Sequence, residues 1–87
     1  MAINATVMET RVAIIAIIIE NPDAVASVNA ILHDYSDFII GRMGLPYRAK
    51  HLNIISIMMD APSDKINALA GKLGRCDGVT AKAVTSK

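Results

Sequence analysis

The sequence predicts an α+β fold with the element order β-α-β-β-α-β. Three observations lead there. Residues 12–19 and 52–59 are apolar runs of strand length, one in each half of the chain. Each is followed by an acid-x-Pro segment, Glu20-Asn21-Pro22 or Asp60-Ala61-Pro62, and then by apolar residues at helical spacing. The halves also match in short stretches: Ile19-Glu20-Asn21-Pro22 with Met59-Asp60-Ala61-Pro62, and Asn29-Ala30-Ile31 with Asn67-Ala68-Leu69. Two strand–helix–strand halves form the ferredoxin-like split βαβ arrangement, a four-stranded antiparallel sheet with two helices on one face.

Residues 1–9 show no clean period and are expected to form a flexible N-terminal arm, with residues 10–87 as a single domain. The first strand, residues 12–19, is unbroken apolar, and six of its eight residues are β-branched, which favours extended backbone. Val12, Ile14, Ala16 and Ile18 point one way and Ala13, Ile15, Ile17 and Ile19 the other. Both rows are apolar, so the strand expects cover on both sides, and composition alone does not say which row meets the helices.

Asn21 suits an N-cap, Pro22 the first helical position and Asp23 the positive end of a helix. Val25, Val28, Ile31, Leu32 and Tyr35 form the stripe of a helix ending near Tyr35-Ser36-Asp37. Residues 38–46, with two glycines and a proline, read as an irregular or edge strand. Residues 47–51 are a polar turn, and residues 52–59 the third strand. The second helix opens at Asp60-Ala61-Pro62-Ser63-Asp64 and carries Ile66, Leu69, Ala70 and Leu73. Gly74 is its expected C′ stop, and Gly71 suggests close packing. Asp77-Gly78 is a turn, and residues 79–85 form the last strand. Right-handed crossovers put strands 1 and 3 at the centre and strands 2 and 4 outside.

The chain of 87 residues is 53% hydrophobic but only 3% aromatic, an apolar excess that points to self-association. A net charge of +1 gives no footprint for nucleic acid or anionic membrane. A single cysteine, Cys76, leaves no internal disulfide and no CxxC motif. The start has no basic region followed by an apolar one, so a cytoplasmic location is expected.

Small domains of this architecture have recognisable chemistry. A metal chaperone needs two cysteines around the first loop, and here that loop is Glu20-Asn21-Pro22-Asp23. An RNA-recognition module needs aromatics on the central strands, and these have none. An acyl-phosphate hydrolase needs an Arg/Gly anion cradle in the first loop, also missing. No nucleophile–base pair or paired carboxylates can be assembled, so no enzyme activity, catalytic residue or cofactor is expected. His33, His51 and Cys76 have no metal-ligand spacing and would meet only across subunits. Arg42 stands out because it interrupts an apolar strand between two glycines. An edge-strand charge that discourages aggregation is the plain reading, and a ligand contact the functional one.

The chain resembles the small ferredoxin-fold proteins of the iron-only hydrogenase system regulator family. The matching residues are Val28-Asn29 and Leu32-His33, Arg42-Met43-Gly44 and Pro46-Tyr47-Arg48, then Leu69, Gly71-Lys72-Leu73-Gly74 and Gly78-Val79. The resemblance implies an ACT-like regulatory fold, similar to the C-terminal domain of the nickel-responsive repressor, and oligomers joined through sheets. It implies a ligand site near the first strand–helix loop, around Asn21 to Ala24 with Asn21 and Asp23 as its candidates, and Asn29, His33 and Arg42 as second choices. The expected partners are a second copy of the chain, as homodimer or homotetramer through the open sheet face, and a small-molecule effector. The repressor's ribbon-helix-helix DNA segment does not fit in this length, so no direct nucleic-acid contact is expected, and no membrane contact. The alternative reading is a metal-responsive transcriptional regulator related to that repressor's effector domain, using His33, His51 or Cys76.

Overall fold

A computed structural model describes residues 9–86, so the expected N-terminal arm lies almost wholly outside the described residues. Strand β1 is Arg11–Ile19, and a 3-10 turn at Pro22–Ala24 leads into helix α1, Val25–Asp34. A second 3-10 turn, Ser36–Phe38, precedes β2, Ile39–Tyr47, and a third, Arg48–Lys50, joins it to β3, Leu52–Ala61. Helix α2, Ser63–Gly74, and strand β4, Val79–Thr85, complete the ferredoxin-like order. The strands form one antiparallel sheet in the order β2-β3-β1-β4, with the two most apolar strands at the centre.

One face of the sheet is covered by the helices, and the β1 residues that meet them are Ala13, Ile15, Ile17 and Ile19, all at most 1% exposed. They pack with Ile55, Ile57 and Met59 of β3, Val28 and Leu32 of α1, and Ile66, Leu69 and Leu73 of α2. The reason for burial is the ordinary one: each aliphatic side chain removed from water is worth roughly 1.5–3 kcal/mol. At the rim, Tyr35 closes the core and the Lys72 ammonium sits 5.1 Å from its ring centroid.

The alternate row, Val12, Ile14, Ala16 and Ile18, faces away from both helices. Its cross-strand neighbours are Met58, Ser56 and Ile54 on β3 and Val84, Lys82 and Thr80 on β4. On β2 the same face carries Gly41, Met43, Leu45 and Tyr47. Val12, Ile14, Ile18, Met43, Leu45, Tyr47 and Val84 are all exposed. Among the described residues, the lysines and acids that normally cover a solvated sheet face are reduced here to Lys82 and Asp60.

Three local readings need correction. Strand β3 runs on to Ala61, and α2 begins at Ser63 with Pro62 as its N-cap, so Asp60-Ala61 belongs to the strand. Gly74 is the last helical residue rather than a left-handed stop: Arg75 follows in right-handed geometry, and its N–H bonds the carbonyl of Gly71. Gly71 is not closely packed within the chain, since a Cβ there would have Arg75 Nη1 as its nearest neighbour at 3.9 Å. The glycine under real constraint is Gly78, with φ +73° and room for a Cβ only 2.6 Å from the Asn21 Cβ.

Candidate functional site

The clearest polar constellation lies between α1 and the edge strand β2. Asn29 and His33 are four residues apart on α1 and therefore share one face of the helix. Leu32 beside them points inward and is buried. The chain then turns through Ser36–Phe38 and enters β2 at Ile39. These segments enclose an open cleft of about 320 Å³, lined by Asn29, Leu32, His33, Ser36, Ile39 and Arg42.

A β-bulge delivers Arg42 to this cleft. Ile39 pairs with Met59, but Gly41 pairs with Met58 and Arg42 with Ile57, so the register slips by one residue at Ile40. Had the first pairing continued, Arg42 would oppose Ser56 and project onto the open face. The slip instead puts it opposite buried Ile57, on the helix side, which is the usual effect of a bulge on side-chain direction. There its Nη2 donates to Asn29 Oδ1 at 3.1 Å. A guanidinium has five N–H donors, and this contact orients the group while leaving most of them to the cleft. The imidazole of His33, the hydroxyl of Ser36 and the amide of Asn29 add hydrogen-bonding groups. Half-buried Ile39 adds an apolar side. The arrangement suits recognition of a small ligand having one anionic or strongly accepting group.

Three of the candidates singled out from sequence, Asn29, His33 and Arg42, are thus brought together. The other two, Asn21 and Asp23, sit before the opposite end of α1. Asn21 Oδ1 accepts from the Asp23 N–H at 3.1 Å, capping the 3-10 turn. Its Nδ2 donates to Asp77 Oδ2 at 3.4 Å, and its Cβ stands against Gly78. Asn21 therefore ties the first strand–helix loop to the turn before β4. The Asp23 side chain is exposed.

Sequence reading passed over Leu32, Ser36 and Ile39 as part of a site, because their role depends on where α1 stops and where the bulge falls. It also passed over a second open cleft of about 400 Å³, lined by Pro22, Pro46, Arg48, His51, Leu52 and Asn53. His51 closes the β2–β3 connection in the left-handed region, at φ 55°, a conformation that histidine adopts more readily than most residues. His33 and His51 line different clefts, and Cys76 Sγ donates to the Lys72 carbonyl at 3.7 Å. Among the described residues no group of three or more His, Cys, Asp or Glu is placed to hold a metal ion. Nor, among those residues, is any helix long and apolar enough to cross a membrane.

Comparisons with known proteins agree with this architecture. Residues 11–83 match the family model described as "TM1266-like: Iron-only hydrogenase system regulator, putative". The family is named for a regulator, not for an enzyme. The solved structure of the uncharacterized protein TM1266 from Thermotoga maritima is 38% identical, covers 91% of this chain and 100% of its own, and superposes with a TM-score of 0.87. A formyltetrahydrofolate deformylase from Pseudomonas putida KT2440 aligns at 11% identity and a TM-score of 0.61, over 84% of this chain and 28% of its own, a likeness of fold alone. No curated protein matches the chain.

Proposed function

Because this chain belongs to the TM1266-like iron-only hydrogenase system regulator family, we propose that it is a non-enzymatic regulatory module. In this reading it works as a homo-oligomer, joined through the open face of its sheet, and reads a small effector in the cleft between α1 and β2. The tie to an iron-only hydrogenase system comes from the family name, and the cytoplasm is the setting we assign to it.

The observation that carries the assembly half is the open face itself. Strand spacings of about 4.8 Å and a rise of about 3.3 Å per residue give it a projected area of roughly 400 Å². Apolar patches beyond a few hundred Å² mark interaction surfaces. The centre of this one, Ile14, Ala16 and Ile18 with Met58, Ser56 and Ile54, has no charged side chain, the pattern of interface cores. A second copy is the occupant we favour, because α1 and α2, the helices among the described residues, are already spent on the other face and an identical face offers the same aliphatic surface in return.

Strand β2 supplies the link from cleft to assembly. Arg42 faces the cleft while Met43 and Leu45 of the same strand lie on the open face. A ligand held by Arg42 would favour one placement of this edge strand, and so one state of the assembly, by preferential binding. Sedimentation velocity of the wild-type chain with and without amino acids, nucleotides and divalent metals tests the whole reading. A change in mass distribution with an effector, absent in Arg42→Gln, is the expected result. A chain that stays assembled and indifferent to every class would remove the sensing role.

A further inference from the structure

We infer that the α1–β2 cleft takes a small monocarboxylate carrying a short branched apolar chain. This rests on the reading of that cleft as the effector site and goes on to name what would fill it. Arg42 is the only Lys or Arg among the lining residues. One guanidinium matches one carboxylate in a two-point, planar fit, and charge-assisted pairs of this kind are the strong hydrogen bonds. The Arg42–Asn29 contact at 3.1 Å holds the fork in place before any ligand arrives. The partner atom is a neutral amide oxygen, so the positive charge is not neutralised by that contact. Asp34 and Asp37 are the nearest acids along the chain, and neither lines the cleft.

The rest of the lining sets the body of the ligand. Asn29, His33 and Ser36 hydrogen-bond without adding a second fixed positive charge, so a di- or triphosphate would be undercompensated. Half-buried Ile39 gives the cleft an apolar side that a bare inorganic anion would leave uncovered, whereas a branched aliphatic chain would cover it. A volume of about 320 Å³ is at the small end for ligand sites, which suits a compound of a few carbons rather than a cofactor. The carboxylate could belong to a free fatty acid, a 2-oxo acid or an amino acid, and all three share the same anchor.

The test is an amide-resolved NMR titration of the full chain with isovalerate, its uncharged isostere isovaleramide, and inorganic phosphate. Saturable shifts centred on Asn29, His33, Ser36 and Arg42 are expected with isovalerate at millimolar levels or below. Isovaleramide and phosphate should each bind at least tenfold more weakly. Arg42→Gln should weaken isovalerate at least tenfold, Arg42→Lys should restore only part of the loss because a lysine lacks the fork, and Arg48→Gln in the other cleft should change nothing. Equal response to the amide, tighter binding of phosphate, unchanged binding in Arg42→Gln, or no saturable response at these residues would each overturn the inference. Its failure is separable from failure of the regulatory reading. If isovalerate binds as described and leaves the assembly unmoved, the ligand class stands and the sensing role falls. If no carboxylate binds while a nucleotide or metal shifts the assembly, the ligand class falls and the sensing role stands.

Discussion

The two rows of β1 make opposite predictions for the same substitution. Ile14 is 47% exposed and Ile15 is 0% exposed, although they are neighbours of identical chemistry. Fully burying an isoleucine is worth ~1.5–3 kcal/mol, so covering the exposed half of Ile14 by a second copy gives ~0.7–1.5 kcal/mol in each protomer. A symmetric interface counts the position twice. Ile14→Lys removes that gain and also asks two ammonium groups to leave water, at a further cost of several kcal/mol if they are fully covered. A total loss of at least ~3 kcal/mol corresponds to a dissociation constant raised about a hundredfold or more. The monomer itself should remain folded, because at that position the lysine stands in solvent. Ile15→Lys puts the charge inside the core and should remove most of the ~5–15 kcal/mol that holds a small domain together. Sedimentation equilibrium paired with circular dichroism separates the outcomes. Ile14→Lys should give a folded monomer and Ile15→Lys an unfolded or aggregated chain. An Ile14→Lys protein that keeps the wild-type mass would refute the interface, and a well-folded Ile15→Lys protein would refute the assignment of faces.

Other positions give independent checks. Gly78→Ala forces a side chain into a left-handed residue and against Asn21, and should destabilise by ~1–3 kcal/mol, read as a lowered Tm. Asn21→Ala removes the cap on the Asp23 N–H and should cost about 1 kcal/mol of stability while leaving the response of the α1–β2 cleft to isovalerate intact. Leu69→Ala, in the centre of the α2 stripe and fully buried, should cost ~2–5 kcal/mol by chemical denaturation.

Much of this fold was legible because its signals are local. The apolar runs, the acid-x-Pro starts and the glycine- and proline-bearing edge segment each name an element, and their order leaves few topologies. The assignment of rows on β1 was not legible, since Ala13-Ile15-Ile17-Ile19 and Val12-Ile14-Ala16-Ile18 have nearly the same bulk and hydropathy. Which row meets the helices depends on how the chain leaves the strand at Glu20-Asn21, where Glu20 N–H bonds the Gly78 carbonyl at 2.7 Å. The cleft was half legible. Arg42 drew notice as a charge in an apolar strand, and Asn29 and His33 as polar helix residues, but their meeting depends on a one-residue slip at Ile40 that no residue type there announces. Gly74 misled for a related reason: a glycine near a helix end suggests a left-handed stop, yet here the carbonyls of Gly71 and Leu73 are satisfied by Arg75 and Cys76 without one.

The central claim is that the uncovered sheet face is an interface between copies, and the mass of the wild-type chain in solution tests it most directly. Sedimentation equilibrium across the micromolar range should return two or four times the protomer mass of 9.3 kDa. A soluble species of 9.3 kDa throughout that range would contradict it.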